Sequence, residues 1–425
     1  MSRLVHALYT LLFIVLLPVI VLRLWWRGRK APGYREGIAE RFGCVQTSHA
    51  RPLWVHAVSL GESIAISPMI ERWLVDHPDI PVHVTNMTPT GRDHIRKQFG
   101  QRVTQSYCPY DVPSFLNLFL NRLNPIACVV VETELWPNLV RACFKKQVPL
   151  LVANARLSER SAKGYRKFRC LSAPMLSRIT HIVAQSQADA DRFIGLGVPQ
   201  SGVTVSGSIK FDIHLDADKT ELGQSLRSQW LGDNPDAFVL MLASSHADEE
   251  AQFLAAFQSL LTTYPKLRLL IVPRHPERFV PVWQLISESG GSASRRRDIS
   301  EGSILLGDSL GEMMAYYSMS DAVIMGGSFV DVGGHNPIEP AILSVPVMMG
   351  PHFHNFKVIT EAMVERDAMW QVASMSQAKS VVVDALEKPA LCRSVGEAAS
   401  VYAREQQGAL GRLLQQVEAI AGIDP

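Results

Sequence analysis

The chain has 425 residues, of which 47% are hydrophobic and 8% aromatic, and its formal net charge is +2. One ordinary hydrophobic core does not support this length, so two domains are expected. The small net charge excludes a global attraction for nucleic acid, and any basic function has to be local. The six cysteines are scattered without a CxxC pair, which indicates reduced thiols and neither a disulfide framework nor a zinc site.

The amino terminus carries an uninterrupted apolar segment, because residues 4–22 contain no Asp, Glu, Lys or Arg. At ~1.5 Å per helical residue they match the ~30 Å hydrocarbon core of a bilayer. Trp25 and Trp26 suit the interface, and the basic residues that follow place the rest of the chain in the cytoplasm by the positive-inside rule. We therefore predict an uncleaved anchor. A cleaved signal peptide is the alternative, which the long apolar run and the absence of a small-x-small cleavage site disfavour.

After the anchor, apolar β-rich runs alternate with helical stretches. This alternation predicts parallel α/β sheets with strands buried on both faces. The predicted strands cover residues 53–58, 80–85, 103–107, 126–131, 148–153, 181–184, 203–206, 238–243, 267–272, 304–306, 321–325 and 345–349. A polar stretch at 207–224 is predicted to link a first domain, residues 31–206, to a second, residues 225–425. The second domain ends in helices, for which a return across the junction is an alternative.

Polar residues just after the predicted strands are the site candidates, because open parallel sheets bind ligands at the carboxyl ends of their strands. Ser59 and Glu62 follow the first strand at the spacing of a helix capping box. Glu62 is therefore either a cap that bonds the Ser59 backbone N–H or a carboxylate placed to accept a proton. Glu132 and Glu134 follow the fourth strand in a loop stiffened by a tryptophan and a proline, which favours a functional role.

Basic residues cluster between the fifth strand and the junction. A run of them is typical of a solvated helix face, although arginines in a membrane-anchored protein also hold lipid phosphates. The run consists of Arg156, Arg160, Lys163, Arg166, Lys167 and Arg169. Lys210 stands at the junction, where a surface residue is the simplest interpretation and a residue that faces the cleft is the alternative.

The glycine-rich segment 326–341 is the most informative stretch of the second half. Its two glycine pairs follow a predicted strand and lead into Asn336, Pro337 and Glu339, which match the N-cap, first and third positions of a helix. A glycine loop that opens a helix offers free N–H groups and a positive dipole end to a phosphate. Glu339 can instead accept hydrogen bonds from ribose hydroxyls, and a capped tight turn without a ligand is the alternative.

Other polar motifs of the second half are weak individually. Arg274 follows the strand at 267–272, and Gly311 and Glu312 precede an apolar helix. Together with segment 326–341 they predict a nucleotide-binding edge of one domain. No two histidines have the helical i, i+4 spacing of metal ligands, so no metal site is predicted.

Six motifs follow one another along nearly the whole chain: W-V-H-A-V-S-L-G-E from residue 54, E-T-E-L-W-P-N from 132, N-A-R-L-S-E-R-S from 154, G-S-I-K-F-D from 207, P-R-H-P-E-R-F from 273 and G-G-H-N-P-I-E-P-A from 333. They closely resemble the 3-deoxy-D-manno-octulosonic acid (Kdo) transferases of Gram-negative bacteria. The resemblance implies two facing Rossmann-like domains of the GT-B glycosyltransferase type at the inner membrane. It implies cytidine monophosphate–Kdo (CMP-Kdo) as donor and the tetra-acylated, bis-phosphorylated lipid A precursor as acceptor, with inversion, no metal and no cofactor.

Motif matching also implies residue roles. Glu62 is then the general base, and Glu132, preferred to Glu134, and Lys210 stabilise the transition state. The implied nucleotide-binding residues are Pro273, Arg274, Gly311, Glu312, Met313, Asn336, Pro337, Ile338 and Glu339. We further predict that Arg156 and Arg160 contact acceptor phosphates.

Two alternative functions remain open at this stage. A GT-B-like transferase or epimerase that uses a uridine diphosphate sugar would also need glycine loops and a ribose-binding Glu. A non-catalytic, membrane-tethered assembly factor would bind nucleotide without turnover, which fits poorly with Glu62, Glu132 and Lys210 all being present.

Overall fold

The computed structural model describes residues 2–29, 31–47, 50–212 and 216–423, without the side chains of Ser2, Arg3 and Lys210. The chain divides into two compact units. Unit 1 comprises Met1–Asp212 and Gln407–Pro425, and unit 2 comprises Ile213–Gln406. Each unit contains a seven-stranded sheet with parallel strand pairing, which confirms the predicted α/β class.

The chain begins with a long apolar helix, α1 (Ser2–Arg27). Within Leu4–Arg27, an 18-residue window has a mean hydropathy of 2.6, so by length and composition the helix is able to cross a membrane. Its first half also contacts unit 1. His6 Nε2 lies 2.8 Å from Asn138 Oδ1, and the Tyr9 hydroxyl donates to Asp111 at 2.8 Å. No pattern in the sequence predicts these polar contacts.

Unit 1 is a parallel sheet with buried apolar clusters on both faces. Its strands are β1 (Leu53–His56), β2 (Val82–Asn86), β3 (Thr104–Tyr107), β4 (Ala127–Val131), β5 (Leu150–Ala155), β6 (His181–Ala184) and β7 (Val203–Val205). Its helices up to the unit boundary, besides α1, are α2 (Leu60–Asp76), α3 (Pro89–Phe99), α4 (Pro113–Leu123), α5 (Pro137–Lys145), α6 (Glu159–Lys167), α7 (Arg169–Leu176) and α8 (Gln187–Gly195). The strand order β3-β2-β1-β4-β5-β6-β7 reverses direction between β1 and β4.

Unit 2 repeats this architecture. Its strands are β8 (Phe238–Ser245), β9 (Leu267–Pro273), β10 (Ala293–Arg295), β11 (Ile304–Leu306), β12 (Ala322–Met325), β13 (Val347–Met349) and β14 (Trp370–Gln371). Its helices are α9 (Ala217–Leu231), α10 (Glu249–Phe257), α11 (Leu260–Thr263), α12 (Phe279–Glu288), α13 (Met313–Ser318), α14 (Ile338–Ile342), α15 (Lys357–Glu365), α16 (Met375–Glu387) and α17 (Pro389–Glu405). The order β10-β11-β9-β8-β12-β13-β14 reverses direction between β8 and β12.

The boundary between the units differs from the predicted linker at 207–224. The division follows Asp212, and α9 begins inside the stretch that was predicted to be a linker. The last helix, α18 (Ala409–Ala421), was assigned to the second domain but belongs to unit 1. Its Leu413 and Val417 are fully buried in the unit 1 core. The apolar side of this helix thus packs against the sheet of unit 1.

Candidate functional site

The carboxyl ends of β1 and β4 form the candidate site of unit 1. These neighbouring strands mark the point where the strand order reverses, and open α/β sheets bind ligands at such a switch point. Glu62 lies in the first turn of α2, directly after β1. Glu132 follows β4 without an intervening residue. The structure therefore brings these two predicted residues to one edge of the sheet.

Glu62 is buried, with a relative exposure of 7%, and its carboxylate accepts two hydrogen bonds. One oxygen accepts the Val58 N–H at 2.7 Å, and the other accepts the Ser59 hydroxyl at 2.7 Å. The expected bond to the Ser59 backbone N–H is thus replaced by these two. Burial raises the pKa of Glu62 against the effect of both bonds, and the charges of Glu134 and Glu132 raise it further. A raised pKa makes this carboxylate a stronger base towards a hydroxyl.

Glu132 is unusual in its backbone conformation and in the hydrogen bonding of its carboxylate. Its φ is 59°, in the left-handed region that non-glycine residues rarely occupy and that is often found at functional sites. Within the described part of the chain no side chain donates a hydrogen bond to its half-buried carboxylate. Glu134, in contrast, accepts the Trp136 indole N–H at 3.1 Å. This difference supports the preference for Glu132, whose role stays a prediction.

Lys210 lies in a 3-10 turn, Ile209–Phe211, that follows β7. The described coordinates include its backbone but not its side chain, so its predicted contact with the transition state lies outside what the structure describes. The turn is tied to the sheet, because the Ile209 N–H donates to the buried Asn154 Oδ1 at 3.4 Å. Lys210 therefore follows a strand of the same sheet as Glu62 and Glu132.

The basic run extends from Arg156, before α6, to Arg169, the first residue of α7. Arg166 is exposed and paired with Glu159 at 3.1 Å, whereas Arg156 and Arg160 are exposed and form no ion pair with a residue that the structure describes. Next to α6, a cavity of about 380 Å³ is lined mainly by apolar side chains. It includes Leu135, Tyr165, Phe168, Leu171 and Met175. Basic side chains thus adjoin an apolar cavity close to the β4 loop.

In unit 2 the glycine-rich segment follows β12 at the switch point between β8 and β12. The buried Glu249 of α10 fixes this loop, because its carboxylate accepts the N–H groups of Gly327 at 2.8 Å and Phe329 at 3.0 Å. The prediction that the loop offers free N–H groups to a phosphate is wrong for these two. Burial raises the pKa of Glu249 despite the hydrogen bonds it accepts.

The helix after this loop, α14, has five residues, and its N-cap position is Pro337 rather than the predicted Asn336. The Asn336 Oδ1 still accepts the Ile338 N–H at 3.2 Å, and its amide donates to Glu339 at 3.3 Å. A helix of little more than one turn has a weak dipole. Phosphate recognition at this edge therefore depends more on side chains than the sequence analysis expected.

Arg274 and Glu339 supply such side chains. Arg274 follows β9, and its backbone N–H donates to the Ser245 carbonyl at 3.0 Å. Burial raises the pKa of Glu339, while the Asn336 hydrogen bond and the nearby charge of Arg274 lower it. An arginine and a carboxylate predicted to bind nucleotide therefore lie close together, with Pro273 as the last residue of β9.

Gly311, Glu312 and Met313 lie after β11, which pairs with β9. The Glu312 carboxylate accepts two hydrogen bonds from Arg296, at 2.8 and 2.9 Å. This side chain is therefore engaged within the protein, and a nucleotide contact at this position would use the backbone.

Two histidines at the same edge form a contact that the sequence analysis missed. His246 and His335 are stacked with their planes 5° apart, and their Nε2 atoms are 2.8 Å apart. Burial, with the nearby charges of His246 and Arg274, lowers the pKa of His335 to about 4. Among the described residues, no group of three His, Cys, Asp or Glu side chains is arranged to hold a metal ion. The available signal was that His246 directly follows β8 and that His335 lies in the glycine-rich segment after β12, which pairs with β8.

Residues 36–213 match the family model described as 3-deoxy-D-manno-octulosonic-acid transferase (kdotransferase). The chain is 37% identical over 414 residues to the 3-deoxy-D-manno-octulosonic acid transferase of Haemophilus influenzae, with 96% of each chain covered. It is 33% identical over 432 residues to the enzyme of the same name from Bordetella pertussis, with 97% of this chain and 99% of that one covered. A solved glycosyltransferase from Rickettsia africae shares the fold, with a TM-score of 0.56 at 12% identity over 88% of this chain and 99% of that one. The predicted GT-B type is thereby confirmed.

Proposed function

Because the chain belongs to the 3-deoxy-D-manno-octulosonic acid transferase family, we propose that it moves Kdo from CMP-Kdo to the tetra-acylated, bis-phosphorylated precursor of lipid A. The observation that carries the proposal is the buried Glu62 carboxylate at the switch point of unit 1. It lies beside Glu132, after a strand of a sheet that ligands approach from its carboxyl edge.

The proposed reaction is a single displacement with inversion. Glu62 takes the proton of the acceptor hydroxyl as the oxygen attacks the anomeric carbon of Kdo, and the bond to the phosphate of cytidine monophosphate (CMP) breaks. General base catalysis of this kind contributes about 100- to 10,000-fold to the rate. Glu132 stabilises the positive charge that develops on the sugar, and Lys210 the negative charge that develops on the leaving phosphate.

The donor nucleotide binds at the carboxyl edge of the unit 2 sheet in this proposal. Arg274 is an exposed guanidinium that suits a phosphate, and Glu339 accepts hydrogen bonds from ribose hydroxyls. Within unit 2, the positive charge of Arg274 takes the place of a metal ion at the donor phosphate. Pro273, the backbone from Gly311 to Met313 and the turn from Asn336 to Ile338 complete the proposed site.

A lipid acceptor is supported by the surface of unit 1 around α6. Arg156 and Arg160 are exposed where a headgroup phosphate would approach, and the apolar cavity beside Tyr165 and Phe168 offers space for an acyl chain. The apolar helix α1 supports attachment of the enzyme to the inner membrane, with both units on the cytoplasmic side.

Thermal shifts with nucleotides test the donor assignment. We expect CMP to raise the melting temperature of the full chain in detergent and uridine diphosphate to leave it unchanged. A shift with uridine diphosphate alone would favour a uridine diphosphate sugar as donor. No shift with either nucleotide would overturn the proposed site in unit 2.

A further inference from the structure

A second cavity of unit 1 lies between α1, α5 and α7 and has a volume of about 330 Å³. Its lining residues do not include Glu62 or Glu132, and of them only Leu171 also lines the apolar cavity beside α6. Three cations line it, Arg141 and Lys145 on α5 and Arg178 after α7. His6 of α1 and the exposed Cys170 complete the wall. The site chemistry described above leaves this cavity without a role.

The three cations have no anionic partner among the residues that the structure describes. The Arg178 guanidinium lies over the Phe144 ring, 5.7 Å from its centroid, and does not meet a carboxylate. Burial and the charge of Arg141 lower the pKa of Arg178, so these two guanidinium groups repel each other. Cations that converge on one cavity are costly to desolvate unless an anion binds between them.

The helix beside the cavity presents an apolar surface to its surroundings. Thr10, one turn after His6, donates to Asn138 Oδ1 at 3.2 Å, so the first half of α1 lies along unit 1. Leu8, Leu12 and Val15 on the outer side are 56%, 58% and 64% exposed. The basic cavity therefore lies where an apolar helix surface meets the folded unit. Lipid headgroups are found in such a position when the apolar face of a helix is buried in acyl chains.

We propose that this cavity binds the phosphate of an anionic phospholipid headgroup and thereby fixes unit 1 on a negatively charged membrane. Arg141 and Arg178 bind the phosphate oxygens through their guanidinium groups, and Lys145 adds a point charge. The lipid is separate from the sugar acceptor, and it holds the enzyme at the surface without taking part in transfer.

Alkylation of Cys170 in the full chain reports on occupancy of the cavity. Cys44→Ser removes the other exposed thiol, and Cys108, Cys128, Cys143 and Cys392 are buried. In micelles of an uncharged detergent, we expect phosphatidylglycerol to slow the reaction of Cys170 with a maleimide several-fold. Phosphatidylcholine, whose headgroup has no net charge, and inorganic phosphate are expected to leave the rate within experimental error.

Matched substitutions on one helix locate the effect. Lys145→Gln and Arg141→Gln are expected to abolish the protection, whereas Lys146→Gln, at the neighbouring exposed position outside the cavity, is expected to retain it. Each variant is accepted only if its melting temperature stays near the parent value. Lys145 is exposed, so this variant keeps the test open if Arg141→Gln fails to fold.

Four results would overturn the proposal. Equal protection by phosphatidylcholine would indicate apolar contact alone, and equal protection by inorganic phosphate would indicate a site for free anions. Protection that survives Lys145→Gln and Arg141→Gln would place the headgroup elsewhere. Protection by the bis-phosphorylated acceptor but not by phosphatidylglycerol would assign the cavity to the acceptor.

Discussion

Substitution of Glu62 by Gln separates its two possible roles, a cap of α2 and the general base. Gln keeps the shape of the side chain and can still accept the Ser59 hydroxyl, but its amide group opposes the Val58 N–H. One lost hydrogen bond costs about 1 kcal/mol of stability. Loss of the base costs about 100- to 10,000-fold in kcat, which is about 3 to 5 kcal/mol in the barrier. The increase in the activation free energy should therefore exceed the loss of folding free energy several-fold.

Ser59→Ala is the matched control for this test. It removes the N-cap of α2 and one hydrogen bond to the carboxylate, at a cost of about 1 kcal/mol, and it leaves the base in place. Steady-state transfer kinetics and thermal melts of both variants are the measurements. We expect similar losses of melting temperature in the two variants but a collapse of kcat only in Glu62→Gln. Equal losses of kcat, or near wild-type turnover in a folded Glu62→Gln variant, would refute the base assignment.

The pH profile gives an independent readout of the same residue. The base must be ionised to accept a proton, so kcat/KM should decrease as the pH is lowered through the pKa of Glu62. Because burial raises this pKa, the decrease should occur at a higher pH than the value of about 4 that is ordinary for a carboxyl group. The Ser59 hydrogen bond lowers this pKa, so Ser59→Ala should move the acid limb to higher pH. If the acid limb of the kcat/KM profile lies at the same pH in Ser59→Ala as in the wild type, a group other than Glu62 is responsible for it.

Three further predictions concern the acceptor, the donor and the fold. Arg156→Gln and Arg160→Gln should raise the acceptor KM more for bis-phosphorylated than for mono-phosphorylated lipid, and an equal effect on both lipids would count against phosphate contact. Glu339→Gln should reduce the thermal shift with CMP while the melting temperature without nucleotide changes little, whereas an unchanged shift would exclude it from the ribose site. Gly326→Ala places a Cβ 2.4 Å from the Ser244 carbonyl oxygen and should lower the melting temperature by several degrees. Gly411→Ala in α18 is the control, because a Cβ at that position meets open space. Equal melting temperatures of the two variants would contradict this reasoning.

The strands were largely predictable, because those of a parallel sheet covered on both faces are nearly continuous apolar runs. All twelve predicted strands occur, with ends displaced by a few residues. The two that were missed, β10 and β14, have three and two residues and lie at the edges of the unit 2 sheet. Their sequences, Ala-Ser-Arg and Trp-Gln, contain no run of aliphatic residues, unlike the equally short β11 and β13, which were predicted.

That the site residues lie just after strands was also predictable, but the residues to which they are hydrogen-bonded were not. Glu249 lies 78 residues before Gly327, and nothing in the local pattern indicates that its carboxylate occupies the N–H groups of the glycine loop. The sequence pattern left open whether the C-terminal helices return across the junction, because Asp212 and Gly408, whose hydrogen bond anchors α18 in unit 1, are 196 residues apart. Contacts between distant segments depend on the tertiary fold, which spacing along the chain does not encode.

Mass spectrometry of the reaction product tests the central claim most directly. The purified chain in detergent is incubated with the lipid A precursor and with CMP-Kdo that is generated in situ because the donor is labile. The account predicts that the lipid gains the mass of one or more whole Kdo units, and that Glu62→Gln yields none in the same time. An unchanged lipid mass with wild-type protein that still binds CMP would contradict it.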